Sequence, residues 1–357
     1  MRVSRHIPGL LDNLIWFILV AVFVFFAAQS PHFLTSVNIT NILSAASVLG
    51  VLVVGQSFVL ITGNFDLSSE SVLGLAAMMG VWLIVPALAP YWGGGYGVPP
   101  LLAIAAILAM GGLVGYVVGV LITVGRMNNF IVTLAMLLIL RGLMLAFTQG
   151  NATNGMGFDP AQTFYWLGHA TAIDIPGVVK LPVAVVAAAA VFVAGHVILA
   201  YHRFGRELYA IGGNRQAAIA SGVNADGRVR QAYVISGVLA AFAGWMLAGR
   251  VASIQVNLGE GYVFTVFAAA VIGGVSLQGG RGTMLGALGG VLLLSTIDRG
   301  LNLMKVSVFW IKVIQGLIIM IAMFVDAQRV RYRNVGTEAD DPTADALPRA
   351  AVPSTEA

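Results

Sequence analysis

The chain has 357 residues, of which 59% are hydrophobic and only 10% charged, and 19 Lys and Arg against 15 Asp and Glu leave a net charge of +4. Soluble domains hold about 45 to 50% apolar and about 25% charged residues, so a cytosolic globular protein is excluded, and so small and scattered a positive surplus gives no nucleic-acid footprint. Cysteine is absent, which removes disulfides, thiolate nucleophiles and cysteine-based metal sites.

Apolar runs near 20 residues, each able to cross a hydrocarbon layer of about 30 Å as a helix, recur along most of the chain. In order they predict spans at 11–29, 44–62, 67–89, 101–124, 128–148, 181–200, 231–251, 260–278, 283–300 and 307–326. The expected fold is therefore an all-α polytopic membrane protein of about ten transmembrane helices. The first run follows Arg2 and Arg5, as a signal peptide would, but it lacks a convincing small-x-small cleavage site and reads as a retained span. Segment 260–278, rich in glycine and ending at Gly279, Gly280 and Gly282, is either a span or a re-entrant or broken element.

Orientation follows from the basic residues. With both termini cytoplasmic, Arg2, Arg5, Arg126, the arginines of 201–230, Arg281 and those of the tail lie inside. Arg141, Lys180, Arg250, Arg299, Lys305 and Lys312 do not, and an inside majority favours this orientation. The domain organisation expected is a cytoplasmic N-terminus over 1–10, a transmembrane domain over 11–326 with an inside loop at 201–230, and a cytoplasmic tail over 327–357. The segments outside the spans are each shorter than the roughly 50 residues an independent domain needs, so none can house a catalytic domain. The tail, with Pro342, Pro348 and Pro353 among Glu338, Asp340, Asp341 and Asp345, has too few apolar residues to fold.

Glycines spaced four apart, Gly111, Gly115 and Gly119 and again Gly282, Gly286 and Gly290, let helix backbones approach closely. They read as seams inside one bundle, or as a dimer seam or moving gate. No GxxxxGK[ST], HExxH or GxSxG pattern occurs and the five His are dispersed, so no catalytic or metal-binding set is expected.

What remains is intramembrane polarity, which is costly and therefore a pointer to function. Asp66 follows a chain break at Thr62, Gly63 and Asn64. It serves either as a helix-start cap or, with Glu70 one turn on and on the same face if the helix begins at Asp66, as part of an aqueous path. Glu70 lies inside the span and needs a partner, water or a proton. Arg141 sits about 20 Å into its helix and must pair with an acid or carbonyls, meet cargo, or snorkel outward. In the inside loop, Asn214 is a good N-cap and Gly222 suits a left-handed C′ position. A small helix is predicted there, with Ala217, Ala218 and Ala220 as a low-relief face, either a plain connector or a docking knob for a cytoplasmic partner.

The runs RFGRELYAIGGNRQAAIASGVN, GEGYVFTVFAAAVIGGVSLQGGRGT and GLNLMKVSVFWIKVIQGLIIMIAMFVD resemble the membrane permease subunit of ribose/xylose-type ATP-binding-cassette sugar importers. FIVTLAMLLILRGL and GNFDLSSESVLGLAAM are similar to that family in the same order, so the resemblance spans roughly residues 40 to 327. It implies a type II-like importer bundle in a bacterial cytoplasmic membrane. It also implies a second permease copy or paralogue, a cytoplasmic ATPase that holds ATP and magnesium, and a periplasmic or lipid-anchored sugar-binding protein. This chain itself would bind no cofactor. The family's coupling helix falls on Gly213, Asn214, Ala217, Ala218, Ser221 and Gly222. Its glycine elements fall on Gly273, Gly274, Gly279, Gly280 and Gly282, where close helix contact and a bend are expected. Asn64, Asp66, Glu70 and Arg141 stand as candidate path or gate residues. The chain departs from the usual GGIDLSVGS at Asn64, Ser69 and Glu70, and carries Val263 and Thr265 where an acidic pair is common, which bears on cargo class. The contrasting readings are a secondary transporter driven by an ion gradient through Asp66, Glu70 and Arg141, a membrane scaffold or receptor without transport, and a membrane enzyme.

Overall fold

The computed structural model describes residues 14–85, 95–152, 159–175, 179–251, 253–307, 309–321 and 324. The expected N-terminus at 1–10 and tail at 327–357 lie outside the described residues. The helices are α1 (Leu14–Gln29), α2 (Ser36–Ile61), α3 (Ser69–Ile84), α4 (Pro100–Thr123), α5 (Asn129–Thr148) and α6 (Asp159–His169), followed after a hairpin by α7 (Val183–Tyr201), α8 (Arg203–Gly213), α9 (Arg215–Ala220), α10 (Ala225–Arg250), α11 (Tyr262–Ile272) and α12 (Met284–Leu303). An apolar helix α13 (Phe309–Ile321) follows. The hairpin pairs β1 (Thr171–Ile175) with β2 (Val179–Pro182) in antiparallel register, a departure from the all-α expectation. Extended, alternating Ile173 and Ile175 in a short polar connector suit a strand better than a helix.

The starts of the long helices are written in the sequence. Asn128 Oδ1 accepts the Phe130 N–H at 2.9 Å, Asn224 Oδ1 accepts from Gly227 N–H at 2.9 Å, and Thr283 Oγ1 accepts from Gly286 N–H at 3.0 Å. Among the described residues six helices, α2, α4, α5, α7, α10 and α12, are long and apolar enough to cross a membrane, while α1, α3, α11 and α13 are shorter apolar helices. Every expected span thus coincides with an apolar helix, and those at 67–89 and 260–278 hold short helices that begin within the bundle.

α10 is the hub, packed against α4, α2, α3 and α6. Its contact with α4 is set by the expected glycine seam: a Cβ on Gly111 would lie 2.3 Å from the Gly237 carbonyl oxygen, and one on Gly115 would lie 2.1 Å from that of Tyr233. A second seam joins α11 and α12, where Cβ atoms on Gly286 and Gly290 would meet the carbonyl oxygens of Gly273 and Ala269 at 2.1 and 2.0 Å. Both seams lie inside one bundle. Gly282 precedes α12 and belongs to the connecting loop.

Two elements are broken at mid-height. Residues 62–68 run without helix beside α10, where Tyr233 Oη donates to the Phe65 carbonyl at 2.7 Å and Ser236 Oγ to Asp66 Oδ2 at 2.8 Å. Ser236 is about 16 Å along α10 at 1.5 Å per residue, so α3 begins in the middle of the bundle. The Gly261 N–H donates to Glu70 Oε2 at 2.9 Å, which brings the start of α11 to the same level. Irregular backbone at such depth is tolerated only where protein satisfies its polar groups, and here side chains do so.

Candidate translocation and coupling sites

Asp66 is 2% exposed. Its Oδ1 accepts from the Ser68 N–H at 3.0 Å and the Ser68 hydroxyl at 2.6 Å. The buried Gln56 amide, oriented by its neighbours, donates to the Asp66 carbonyl at 3.0 Å and accepts its N–H at 3.2 Å. Helix α3 starts at Ser69, not at Asp66, so Asp66 stands ahead of the helix and Glu70 in its first turn, and the two carboxylates have separate partners. The reason is local: Asp66 binds the backbone of Ser68, an Asx-type turn that competes with helix. Asn64 is held by its own break, donating to Thr62 Oγ1 at 2.8 Å and accepting from Asn129 Nδ2 at 3.2 Å.

Glu70, 5% exposed, closes the other break. Its Oε2 accepts the N–H groups of Gly261 and Val263 at 2.9 and 3.2 Å, so a carboxylate on α3 caps α11. Arg141 on α5 places Nη2 3.5 Å from Glu70 Oε1, and its Nη1 donates to the carbonyls of Val256 and Leu258 at 2.9 and 3.1 Å. Of the fates open to Arg141, pairing with an acid and carbonyls is the one its surroundings display.

These polar residues do not line the apolar groove of about 280 Å³ beside the break, which is bordered by Phe65, Leu67, Phe130, Phe264 and Phe267. In extended chain successive side chains face opposite sides, so Phe65 and Leu67 face the groove while Asn64 and Asp66 turn inward.

At the opposite end of α7 from the β-hairpin, the predicted small helix is present as α9. Asn214 Oδ1 accepts the Ala217 N–H at 3.0 Å, and Gly222 takes φ +84° at the far end. Ala217, Ala220, Ser221 and Gly222 are exposed, and Ile219 presents a 53% exposed side chain among them. Ala218, expected on the docking face, is instead 4% exposed and packs inward, because three alanines over a single helical turn cannot share one face.

Helix α8 is not among the elements expected from apolar runs and caps; its signal is the spacing of Phe204, Leu208 and Ile211, all of which are buried. Ion pairs brace the two small helices: Glu207 on α8 binds Arg203 at 2.7 Å and also Arg228 of α10, while Asp226 of α10 pairs with Arg215 of α9 and, at 3.4 Å, with Arg126. Burial works to raise the Glu207 pKa, but the hydrogen bonds from Arg228 and Arg203 and their charge outweigh it and hold the carboxyl below its usual range.

The expected glycine bends lie directly under this pair of helices. The Gly280 N–H donates to the Ile61 carbonyl at the end of α2 at 2.8 Å. A Cβ on Gly279, at φ +86°, would sit 2.7 Å from the Gly63 nitrogen, and one on Gly212 would sit 1.9 Å from the Ile61 oxygen. Gly273 is pressed on α12, and Gly274 turns the chain at φ +86°. Three segments therefore meet backbone to backbone: the end of α2, the end of α8 and the loop joining α11 to α12.

Comparison with known proteins agrees with this arrangement. The family model described as branched-chain amino acid transport system, permease component, matches residues 38–323. The chain is similar to the ribose import permease protein RbsC of Bacillus subtilis (strain 168), 36% identical over 91% of this chain and 95% of the relative. It is equally similar, at 36%, to RbsC of Escherichia coli (strain K12), over 84% of this chain and 88% of the relative. The galactose/methyl galactoside import permease protein MglC of the same strain is 33% identical over 87% and 91%. No solved structure matches. With four-fifths of its length under one family model, the chain belongs to the branched-chain amino acid transport system permease-component family.

Proposed function

We propose that this chain is the membrane-spanning permease subunit of an ATP-binding-cassette importer that carries a monosaccharide or related polyol into the bacterial cytoplasm. The observation that carries the reading is a capped, exposed helix, α9, mounted on a glycine junction that touches both broken elements of the bundle. The names of the relatives, ribose and galactose import permeases, support a sugar as cargo. In this reading the six full-length apolar helices and the four shorter ones among the described residues all cross the membrane, an even number that agrees with two cytoplasmic termini.

In this reading a cytoplasmic ATPase grips α9 through Gly213, Asn214, Ala217, Ile219, Ser221 and Gly222, and its nucleotide cycle shifts the bundle between outward and inward openings. A periplasmic or lipid-anchored binding protein delivers the sugar, and a second permease copy or paralogue completes the path. Asn64, Asp66, Glu70 and Arg141 hold the wall of that path rather than bind cargo. The test is reconstitution with a cognate cytoplasmic ATPase and sugar-binding protein. Uptake of ribose or galactose into vesicles is expected only with internal face ATP hydrolysis. Uptake that persists without ATP and collapses with an uncoupler overturns the reading.

A further inference from the structure

A stroke delivered at α9 must both push and pull the elements it drives, and the two directions need different contacts. The glycine junction is suited to pushing, since Gly212, Gly213, Gly279 and Gly280 are in backbone contact with no side chain to deform between them. Pulling requires bonds. The end of α2 is bonded to the loop through the Gly280 N–H and the Ile61 carbonyl. Between α8 and that loop the described residues hold one hydrogen bond, from Tyr209 Oη to the Gly282 carbonyl at 2.6 Å. The loop itself is a compact turn, closed by the Ser276 N–H on the Arg281 carbonyl at 3.1 Å and the Gly279 N–H on Ser276 at 3.2 Å, so a force on Gly282 reaches α11 and α12 together. Burial raises the Tyr209 pKa, which keeps its hydroxyl a donor.

We infer that Tyr209 is a positioning residue for transport, the tether by which α8 and α9 draw the α11–α12 loop back with them on the return half of the cycle. The inference rests on the importer reading, and it assigns to one hydroxyl the difference between hydrolysis that moves sugar and hydrolysis that does not. The coupling helix is then attached at two points of unlike character: the glycines transmit compression to the break before α3, and Tyr209 transmits tension to the loop after α11.

Tyr209→Phe removes the bond and keeps the ring. In vesicles holding the cognate ATPase, with ribose-loaded or galactose-loaded binding protein outside, stimulated ATP hydrolysis is expected to remain near the unsubstituted level. Sugar imported per ATP should fall about three- to tenfold, the effect of one lost hydrogen bond on an equilibrium. Equal loss of hydrolysis and uptake would mark a structural role only, and no change in either would show that no tether exists; both overturn the inference. Absence of stimulated hydrolysis with the unsubstituted chain would instead overturn the importer reading.

A second measurement stands whether or not that variant assembles. The chain has no cysteine, so spin labels at Gln216→Cys and Gln278→Cys, both exposed, report one distance within the protomer. That distance is expected to stay constant between nucleotide-free and ATP-bound complexes. A change in it would mean that α9 and the loop move separately, and would sink the tether.

Discussion

Glu70 and Arg141 face each other across 3.5 Å at the centre of the bundle, and each also holds backbone that belongs to neither of their helices. Glu70 takes two N–H groups at the start of α11, and Arg141 takes two carbonyls of the segment leading into it. The pair is thus a clamp on irregular backbone that lipid could not solvate. Removing one partner of a buried pair costs about 3 to 5 kcal/mol, because the other is left charged and alone. Arg141→Met and Glu70→Ala are each expected to lower the melting temperature of the detergent-solubilised protein strongly. Glu70→Gln, which keeps an acceptor for α11, should lower it less, and equal losses for Glu70→Gln and Glu70→Ala would show that the cap on α11 carries no weight.

On α9 the face matters more than the residue type. Ala217→Glu and Ile219→Glu place charge on exposed positions and should leave the protein folded while abolishing stimulation of a partner ATPase. Ala218→Glu buries an unpaired charge and should reduce the yield of folded protein. Melting curves and stimulated hydrolysis, measured side by side, separate the two outcomes; full stimulation in Ile219→Glu would remove α9 from the interface.

The two seams make a sharper contrast among glycines. Gly115→Ala drives a methyl into the Tyr233 carbonyl and should destabilise by about 1 to 3 kcal/mol. Gly142→Ala, on an exposed face of α5 with nothing within 4 Å, should be neutral or stabilise by about 0.5 to 1 kcal/mol. Thermal unfolding of the two variants checks the sign of each.

The bracing of α8 should depend on pH in one direction. The Glu207 pKa is lowered in the folded protein, so its contribution is fully present above the unfolded value of about 4.5 and is lost as pH falls through the lower folded value. Amide exchange in 203–213 is expected to be flat from neutral pH to about 5 once corrected for intrinsic rates, and to rise only below about 4.5. Glu207→Gln should remove that step, and a step persisting in the variant would assign it to another group.

Much of this architecture was legible in the residues. Hydropathy located every apolar helix, glycine spacing located both seams, and Asn214 with Gly222 bounded α9. What the chain did not disclose were contacts between segments remote in sequence. Glu70 and Val263 stood out as separate departures from the family's pattern, yet the Val263 N–H donates to Glu70 Oε2, so the two positions are one feature. No periodicity encodes a carboxylate on one half-helix that caps another 191 residues away. The inward turn of Ala218 escaped for a similar reason, since alanine carries no mark of which side will be covered.

The ionic bracing of α8 and α9 has a consequence for engineering. Anyone grafting this helix pair onto a different permease to redirect it toward a foreign motor would have to carry Arg126, Asp226 and Arg228 along, since these anchors sit in the loop after α4 and on α10 rather than in the transplanted stretch. Chimaeras cut at 203 and 222 alone would import the shape of the plug without its socket.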